Sequence, residues 1–143
     1  MQAALPTRGA VRAAVRDEMI YDTPSFDSFS TGFRNLLEGW IGPERIHNNV
    51  HVWVGGDMVL GTSPNDPVFF LHHCNIDRIW SAWQASHVGV QYVPEQSASD
   101  DLAFHRIDDQ LFTFFDEPAP VTPRAMLDHA ALYQYDTLSD LMS

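Results

Sequence analysis

Two histidine-bearing segments, joined by a glycine-containing loop, constrain this chain more than any other feature. The first, HNNVHVWV, places His47 and His51 four residues apart. The second, PVFFLHHCNIDRIWSAWQ, carries the adjacent pair His72 and His73. Residues i and i+4 share one face of a helix, so His47 and His51 can direct two imidazoles at a single ion. The pattern therefore predicts two helices that face each other across a cluster of histidines.

The predicted cluster has the donor chemistry of a metal site. A third nitrogen from the facing helix would complete a three-histidine set that leaves coordination positions open. Neighbouring residues of a helix point about 100° apart, so His72 and His73 cannot both face the same ion. Three neutral imidazoles without a thiolate suit copper, zinc or iron. An open position would let such a metal bind a small molecule.

The string SPNDPVFFLHH gives the second helix a defined start, because Asp66 can cap it and Pro67 fits its first position. Together with the following CNIDRIWSAWQ, this string resembles the second-copper, C-terminal half of bacterial tyrosinases, which belong to the type-3 copper proteins. FRNLLEGW, HNNVH and the MLDH stretch before two tyrosines resemble further parts of the same core. The resemblance covers nearly the whole chain and is closest over residues 33–84.

The resemblance implies a copper site. By position, His47, His51 and His73 would be the copper ligands. His72 would be a companion histidine that orients the site without binding the metal. Cys74, which follows His73, is expected to be a packed free thiol rather than a ligand.

The resemblance also implies residues that act on a substrate. Glu38 and Asn48 would hold a water that takes the proton from an incoming phenol, which is general-base chemistry. Phe69 precedes His73 by one turn and would wall the substrate pocket. Gly61 lies in the loop between the two histidine segments, where a small residue would leave the pocket mouth open.

The resemblance covers one of the family's two copper-binding halves. Type-3 copper enzymes bind dioxygen between two coppers, each held by three histidines, and this chain supplies one such triad. The remaining histidines, His87, His105 and His129, are expected in loops or at the surface. We expect either a homodimer, whose copies jointly form a di-copper site, or pairing with a complementary chain that has the first-copper half. A natural half-size protein, a fragment and one chain of a two-chain assembly all stay open, as does a monomer with one copper or none.

The expected activity is that of a copper-dependent oxidoreductase of tyrosinase or catechol oxidase type, which oxidises phenols or o-diphenols to quinones with dioxygen. A non-catalytic copper-binding half that needs a different partner chain is one alternative, and an o-aminophenol-type oxidase is another. The net charge of −11 argues against nucleic acid or an anionic membrane as a partner. No apolar run approaches the length of a membrane-spanning helix, and the N-terminus lacks the core of a signal peptide, so we expect a soluble protein.

Hydrophobic periodicity predicts a mainly α fold, with one domain over residues 1–143. The expected architecture is a helix bundle that carries the histidine site, with a few short strands at its periphery. Phe70 is expected in the core, and Asp77 and Arg78 are expected to form ion pairs or to support the site. Helices are predicted at residues 8–17, 25–40, 44–54 and 66–87, a helical turn at Thr122, and strands at residues 111–115 and 132–135.

Overall fold

The structure, a computed structural model, describes residues 4–18, 20–22, 27–42, 44–111 and 121–143. Within these ranges no residue belongs to a β-strand, so the mainly α prediction is confirmed and the strand expected at residues 132–135 is absent. None of the helices described here has the length and apolar character that crossing a bilayer requires. The described residues form six α-helices: α1 (Arg8–Asp17), α2 (Phe33–Glu38), α3 (Ile46–Val54), α4 (Val68–Ser86), α5 (Pro123–Met126) and α6 (Ser139–Met142).

The long helix α4 begins where the sequence predicts. Asp66 Oδ1 accepts a hydrogen bond from the backbone N–H of Val68 at 2.9 Å, and Pro67 already has helical angles of φ −56° and ψ −27°. Asp66 therefore caps the helix and Pro67 occupies its first position. The preceding helix, α3, ends at Gly55, whose φ of 76° lies in the left-handed region that favours glycine.

Threonine side chains start α1 and α5, as the sequence predicts. The hydroxyl of Thr7 accepts a hydrogen bond from the Ala10 N–H at 3.1 Å. The hydroxyl of Thr122 accepts one from the Ala125 N–H at 3.3 Å. Each hydroxyl satisfies a backbone donor that has no partner within its helix.

The second predicted helix is much shorter than expected. Residues 25 and 26 lie outside the described part of the chain, and α2 begins only at Phe33. Asp27 Oδ1 accepts hydrogen bonds from the backbone N–H groups of Phe29 and Ser30, at 2.9 and 2.7 Å. Because this side chain offers the backbone an alternative to helical hydrogen bonds, a turn replaces the start of the predicted helix.

Trp83, on α4, is the centre of the core. Its side chain is 2% exposed, and its ring stacks on Phe33 with the centroids 4.7 Å apart. Its indole N–H donates to the backbone oxygen of Glu18 at 2.7 Å, so the one polar atom of the ring is satisfied. These contacts hold α4 against α1 and α2. The other members of the core come from α1 to α4, α6 and one loop: Val11, Ala14, Val15, Tyr21, Leu37, Ile46, Ile79, Ala82 and Leu141.

Side-chain hydrogen bonds tie the C-terminal segment to α4. Tyr133 and Tyr135 both donate their hydroxyls to Asp77 Oδ2, the former at 2.5 Å. Arg78, the next residue of α4, forms an ion pair with Asp140 of α6. The edge strand predicted around Tyr133 and Tyr135 is therefore wrong. The two tyrosines point the same way because both hydroxyls donate to the carboxylate of Asp77, and they do not pair with a sheet.

Three further expectations about individual positions are wrong. Phe70 is 63% exposed and Cys74 is also exposed, so neither side chain is packed in the core. His87 is buried rather than at the surface, since its ring stacks on Trp83 at the end of α4. Of the strand predicted at residues 111–115, only the first residue is described, and it belongs to no strand.

The contrast between two phenylalanines tests this core. Phe33 is fully buried and Phe29 is 88% exposed. We expect Phe33→Ala to lower the free energy of unfolding by about 3 kcal/mol or more, because it leaves a cavity beside Trp83. Phe29→Ala should change it by less than about 0.5 kcal/mol. Urea unfolding followed by tryptophan fluorescence measures both, and equal destabilisation by the two substitutions would contradict the described packing.

Candidate metal centre

Helices α3 and α4 bring three imidazoles together. The Nε2 atom of His47 lies 3.0 Å from Nε2 of His51 and 3.1 Å from Nε2 of His73. His47 and His51 share a face of α3 because they are one turn apart, and His73 reaches them from the facing helix. His47, the middle residue of this arrangement, thus has its Nε2 within hydrogen-bond distance of the Nε2 atoms of both His51 and His73.

The opposite ring nitrogen of each of these histidines is held by an oxygen atom. His47 Nδ1 lies 3.1 Å from Asn48 Oδ1, and His51 Nδ1 lies 2.6 Å from the backbone oxygen of Met58. His73 Nδ1 lies 2.8 Å from the backbone oxygen of Phe69, one turn earlier on α4. An oxygen acceptor at Nδ1 favours the tautomer that carries its proton there.

This tautomer makes the cluster a suitable metal-binding site. With the protons on Nδ1, the Nε2 lone pair of His47 lies at hydrogen-bond distance from those of His51 and His73. Such lone pairs repel unless a proton or a cation lies between them. Outer hydrogen bonds that fix the ring orientation and the tautomer are the usual support of metal-binding histidines. The donor set therefore fits a metal ion that accepts three imidazole nitrogens.

His72 is close enough to be considered as a rival third ligand. His47, His51 and His72 can each offer one nitrogen such that the three atoms lie within 4.8 Å of one another. However, His72 Nε2 lies 3.2 Å from the backbone oxygen of His47, where it donates a hydrogen bond. Its ring also stacks on that of His47, with the centroids 5.1 Å apart. With its Nε2 engaged, His72 has only Nδ1 to offer a metal, whereas Nε2 of His73 lies 3.1 Å from Nε2 of His47. The choice of His73 over His72 as the third ligand stays a prediction.

Burial keeps two of these imidazoles neutral. It lowers the pKa of His47, although the carboxylate of Glu38, 3.5 Å from His47 Nδ1, acts in the opposite direction. Burial, together with the neighbouring imidazoles, lowers the pKa of His72 to about 4. A neutral imidazole keeps the lone pair that a metal requires, so the burial of His47 favours metal binding at neutral pH.

Glu38 and Asn48 both lie beside His47. Glu38 Oε2 is 3.5 Å and Asn48 Oδ1 is 3.1 Å from His47 Nδ1. The two side chains that the sequence pairs therefore meet in the structure, at the outer edge of the histidine cluster. The side chain of Glu38 is 41% exposed, which leaves its carboxylate accessible to water.

An open cleft of about 330 Å³ lies against the histidines. Phe69 and Gly61 are not among the residues that line it. Phe69 instead packs on His73, with ring centroids 3.9 Å apart, and a Cβ added to Gly61 would meet no atom within 4 Å. The cleft is lined by Trp40, Arg45, His47, Asn48, His51, Val52, Met58, Val59, Leu60 and Ser63.

Sequence patterns did not identify the contribution of Met58. Its side chain is 1% exposed and holds the turn after α3 in place, while its backbone oxygen anchors His51. A backbone acceptor has no residue-type signature, so the sequence offers no direct signal for it. The apolar cleft residues Leu60 and Trp40 were also missed, although both are large hydrophobic side chains in loops, 61% and 55% exposed.

Comparison with known proteins places this site in a family. Residues 3–86 match the family described as the common central domain of tyrosinase, and the chain belongs to this family. It is 45% identical to a tyrosinase of Streptomyces glaucescens over 133 residues, which is 93% of this chain and 45% of that protein. It is 39% identical to the grixazone synthase of Streptomyces griseus, over 84% of this chain and 41% of that protein. It is 34% identical to hemocyanin 2 of Megathura crenulata, over 85% of this chain and 4% of that protein.

The tyrosinase family binds copper, and three histidines of this chain lie close enough together to hold a metal ion. The cofactor expected from the sequence is thereby confirmed. The chain spans about half the length of the curated bacterial relatives that it matches, at 45% for the Streptomyces glaucescens tyrosinase. The activity of the complete relatives therefore does not follow from the match alone.

The choice between the two adjacent histidines can be tested directly. We expect His73→Ala to weaken copper binding at least about tenfold, because it removes one of three converging donors. His72→Ala should weaken it less, because His72 supports His47 through a backbone hydrogen bond and ring stacking rather than through a donor nitrogen. Competition with a chromogenic chelator measures both affinities, and His105→Ala is the control, since His105 lies outside the cluster. Normal binding by His73→Ala with loss of binding by His72→Ala would reverse the assignment.

Proposed function

We propose that this chain is the second-copper half of a tyrosinase or catechol oxidase, which oxidises phenols or o-diphenols to quinones with dioxygen. The proposal depends chiefly on one observation. Nε2 of His47 lies within 3.1 Å of Nε2 of both His51 and His73, and His47 and His51 line an open cleft of about 330 Å³ that is large enough for a small aromatic ring. Membership of the tyrosinase family supports the same reaction class.

The proposed copper ligands are His47, His51 and His73, with their Nε2 atoms as donors. Copper, when bound, would supply the redox chemistry with dioxygen. The chain fixes the ligands through the oxygens of Asn48, Met58 and Phe69, which hold the three Nδ1 atoms. Rigid imidazoles keep the donor set in one geometry while a substrate enters and leaves.

Glu38 and Asn48 are the proposed proton-handling pair. A phenol must lose its proton when it is oxidised, and a carboxylate acting through one water can accept it. Glu38 is partly exposed and lies beside His47, and Asn48 lines the cleft. In this proposal Glu38 accepts the proton and Asn48 orients the water that carries it.

The proposed roles of Phe69 and Gly61 in the substrate pocket depend on a second protein chain. Phe69 packs on His73 and contributes no wall to the cleft of the single chain. It would line a pocket only if another chain closed the space above α4. Gly61 would then keep the entrance open, since no atom lies within 4 Å of the position of a Cβ there.

We further propose that two chains complete the di-copper site. In the described ranges only one group of at least three metal-binding side chains lies close enough to hold an ion, and it consists of His47, His51 and His72, with His73 beside it. In this proposal the second triad comes from another chain, either a second copy or a complementary first-copper half. Large apolar side chains near the histidine segments are exposed, among them Leu60, Phe70 and Leu71, at 61%, 63% and 73%. Exposed apolar patches of this kind are typical of protein interfaces.

Specific observations also support two alternatives to a phenol oxidase. The relatives have three different names, tyrosinase, grixazone synthase and hemocyanin, so the scaffold accommodates more than one function. An oxidase of another arene, such as an o-aminophenol, fits the same cleft. A non-catalytic copper-binding half that needs a different partner chain is the second alternative, because the described residues hold one group of histidines that could bind a metal.

The composite site predicts that activity depends on protein concentration. If two copies form one site, dilution below the dimer dissociation constant must abolish catechol oxidation at saturating copper, because assembly follows mass action. Catechol oxidation assays over a dilution series measure the specific activity. Sedimentation velocity at the same protein concentrations measures the fraction of dimer. Titrating in a His47→Ala chain should also inhibit the wild type, since mixed pairs lack one ligand.

Three outcomes of the dilution series separate the alternatives. Constant specific activity down to monomeric concentrations would rule out the two-chain site. Activity that appears only when a first-copper chain is added would identify the complementary partner. Bound copper without oxidation of catechols or o-aminophenols at any concentration would identify the non-catalytic half.

Glu38→Gln separates proton transfer from binding. The substitution keeps the size of the side chain and removes its ability to accept a proton. We expect kcat for a monophenol to fall by about tenfold or more, and kcat for the matching catechol to fall less, because the monophenol requires the more demanding deprotonation. Glu44→Gln is the control, because Glu44 contacts the backbone N–H of Thr7 and lies outside the cleft lining. Equal losses on both substrates would argue against the assignment.

A further inference from the structure

Arg45 has an unusual electrostatic position in this chain. The sequence holds 8 basic residues, all of them arginine, against 19 acidic residues. Arg45 makes no ion pair with any carboxylate of the described residues, although such carboxylates are abundant. Six other arginines do form ion pairs: Arg8, Arg16, Arg34, Arg78, Arg106 and Arg124.

The backbone fixes Arg45 at the mouth of the histidine cleft. Arg45 has φ 44° and ψ 59°, a left-handed conformation that non-glycine residues rarely adopt. Its Nε donates to the backbone oxygen of Gly39 at 3.2 Å. Gly39 has φ 96°, and a Cβ there would lie 2.9 Å from the Cα of Arg45, so the two backbone segments cross closely. This crossing places an exposed guanidinium two residues before His47.

The cleft combines this cation with apolar walls. Arg45 lines it together with His47 and His51, and the apolar side chains of Trp40 and Leu60 line it as well. Glu38, the carboxylate 3.5 Å from His47, is not among the lining residues. An aromatic ring can therefore lie on apolar surface while a negative group at its far end reaches Arg45.

We infer that Arg45 is a specificity-determining residue that selects aromatic substrates bearing a carboxylate. The inference deepens the proposed phenol oxidase, on which it rests for the reaction. The free N–H groups of a guanidinium match the two oxygens of a carboxylate. The remainder of the chain carries a strong excess of negative charge, so without Arg45 the cleft would disfavour an anion. Neutral and cationic phenols gain nothing from this contact.

Binding of unreactive ligands tests the inference without oxidase activity. Copper-loaded protein is titrated with 3-phenylpropionate and with the neutral 3-phenylpropanamide, by calorimetry or ligand-observed NMR. We expect the acid to bind about three- to fivefold more tightly, the range of a solvent-accessible ion pair, and the preference to shrink in high salt. Arg45→Gln should remove the preference and Arg45→Lys should retain part of it. Arg16→Gln is the control for lost charge, because Arg16 is exposed and pairs with Asp17 on α1.

The possible results separate this inference from the proposed reaction. If the acid and the amide bind equally to the wild type, Arg45 does not select carboxylates. If the preference survives in Arg45→Gln, the carboxylate binds elsewhere, for instance to the metal, and the inference is again wrong. Where catechols are oxidised, Arg45→Gln should raise KM for 3-(3,4-dihydroxyphenyl)propionate by the same factor, with kcat and the KM for the corresponding amide unchanged. If no catechol is oxidised but the binding preference depends on Arg45, the proposed oxidase is wrong and the anion subsite is supported.

Discussion

Three hydrogen bonds behind the histidines determine what the rest of the structure can do. Each links the Nδ1 atom of a candidate ligand to an oxygen of a nearby residue, at 2.6–3.1 Å. The three oxygens belong to Asn48, Met58 and Phe69. They orient the rings, favour the tautomer with its proton on Nδ1, and leave the Nε2 lone pairs of His51 and His73 beside that of His47. The packing of Trp83 matters because it holds α4 in place, and α4 carries the third imidazole to the other two.

Much of this arrangement could be predicted from the sequence, because it depends on local patterns. The spacing of His47 and His51 defines a helix face, and Asp66 with Pro67 defines the start of α4. The choice of His73 over His72 required the family resemblance as well. In the structure the difference between them is a tertiary one, since His72 Nε2 contacts a backbone oxygen of α3.

Each error in the fold prediction has a physical cause that sequence patterns do not show. The predicted helix from residue 25 failed because the side chain of Asp27 competes for backbone donors. The tyrosines of the C-terminal segment looked like a strand because side-chain alternation also arises when two hydroxyls reach one carboxylate. Phe70 and Cys74 read as core residues because hydrophobicity does not tell which face of a long helix remains uncovered.

The backbone contact between Met58 and His51 has a consequence for how this site can diverge. The turn that carries Met58 also carries Val59 and Leu60, which form part of the cleft wall. A change that remodels this wall therefore also displaces the oxygen that orients His51. The four consecutive residues Asp57 to Leu60 therefore affect two properties at once. They shape the cleft that accepts a molecule, and they hold His51 in place. Variation that leaves the backbone of this turn in place, by exchanging only its outward side chains, is the route along which relatives can acquire new substrates without losing their cofactor.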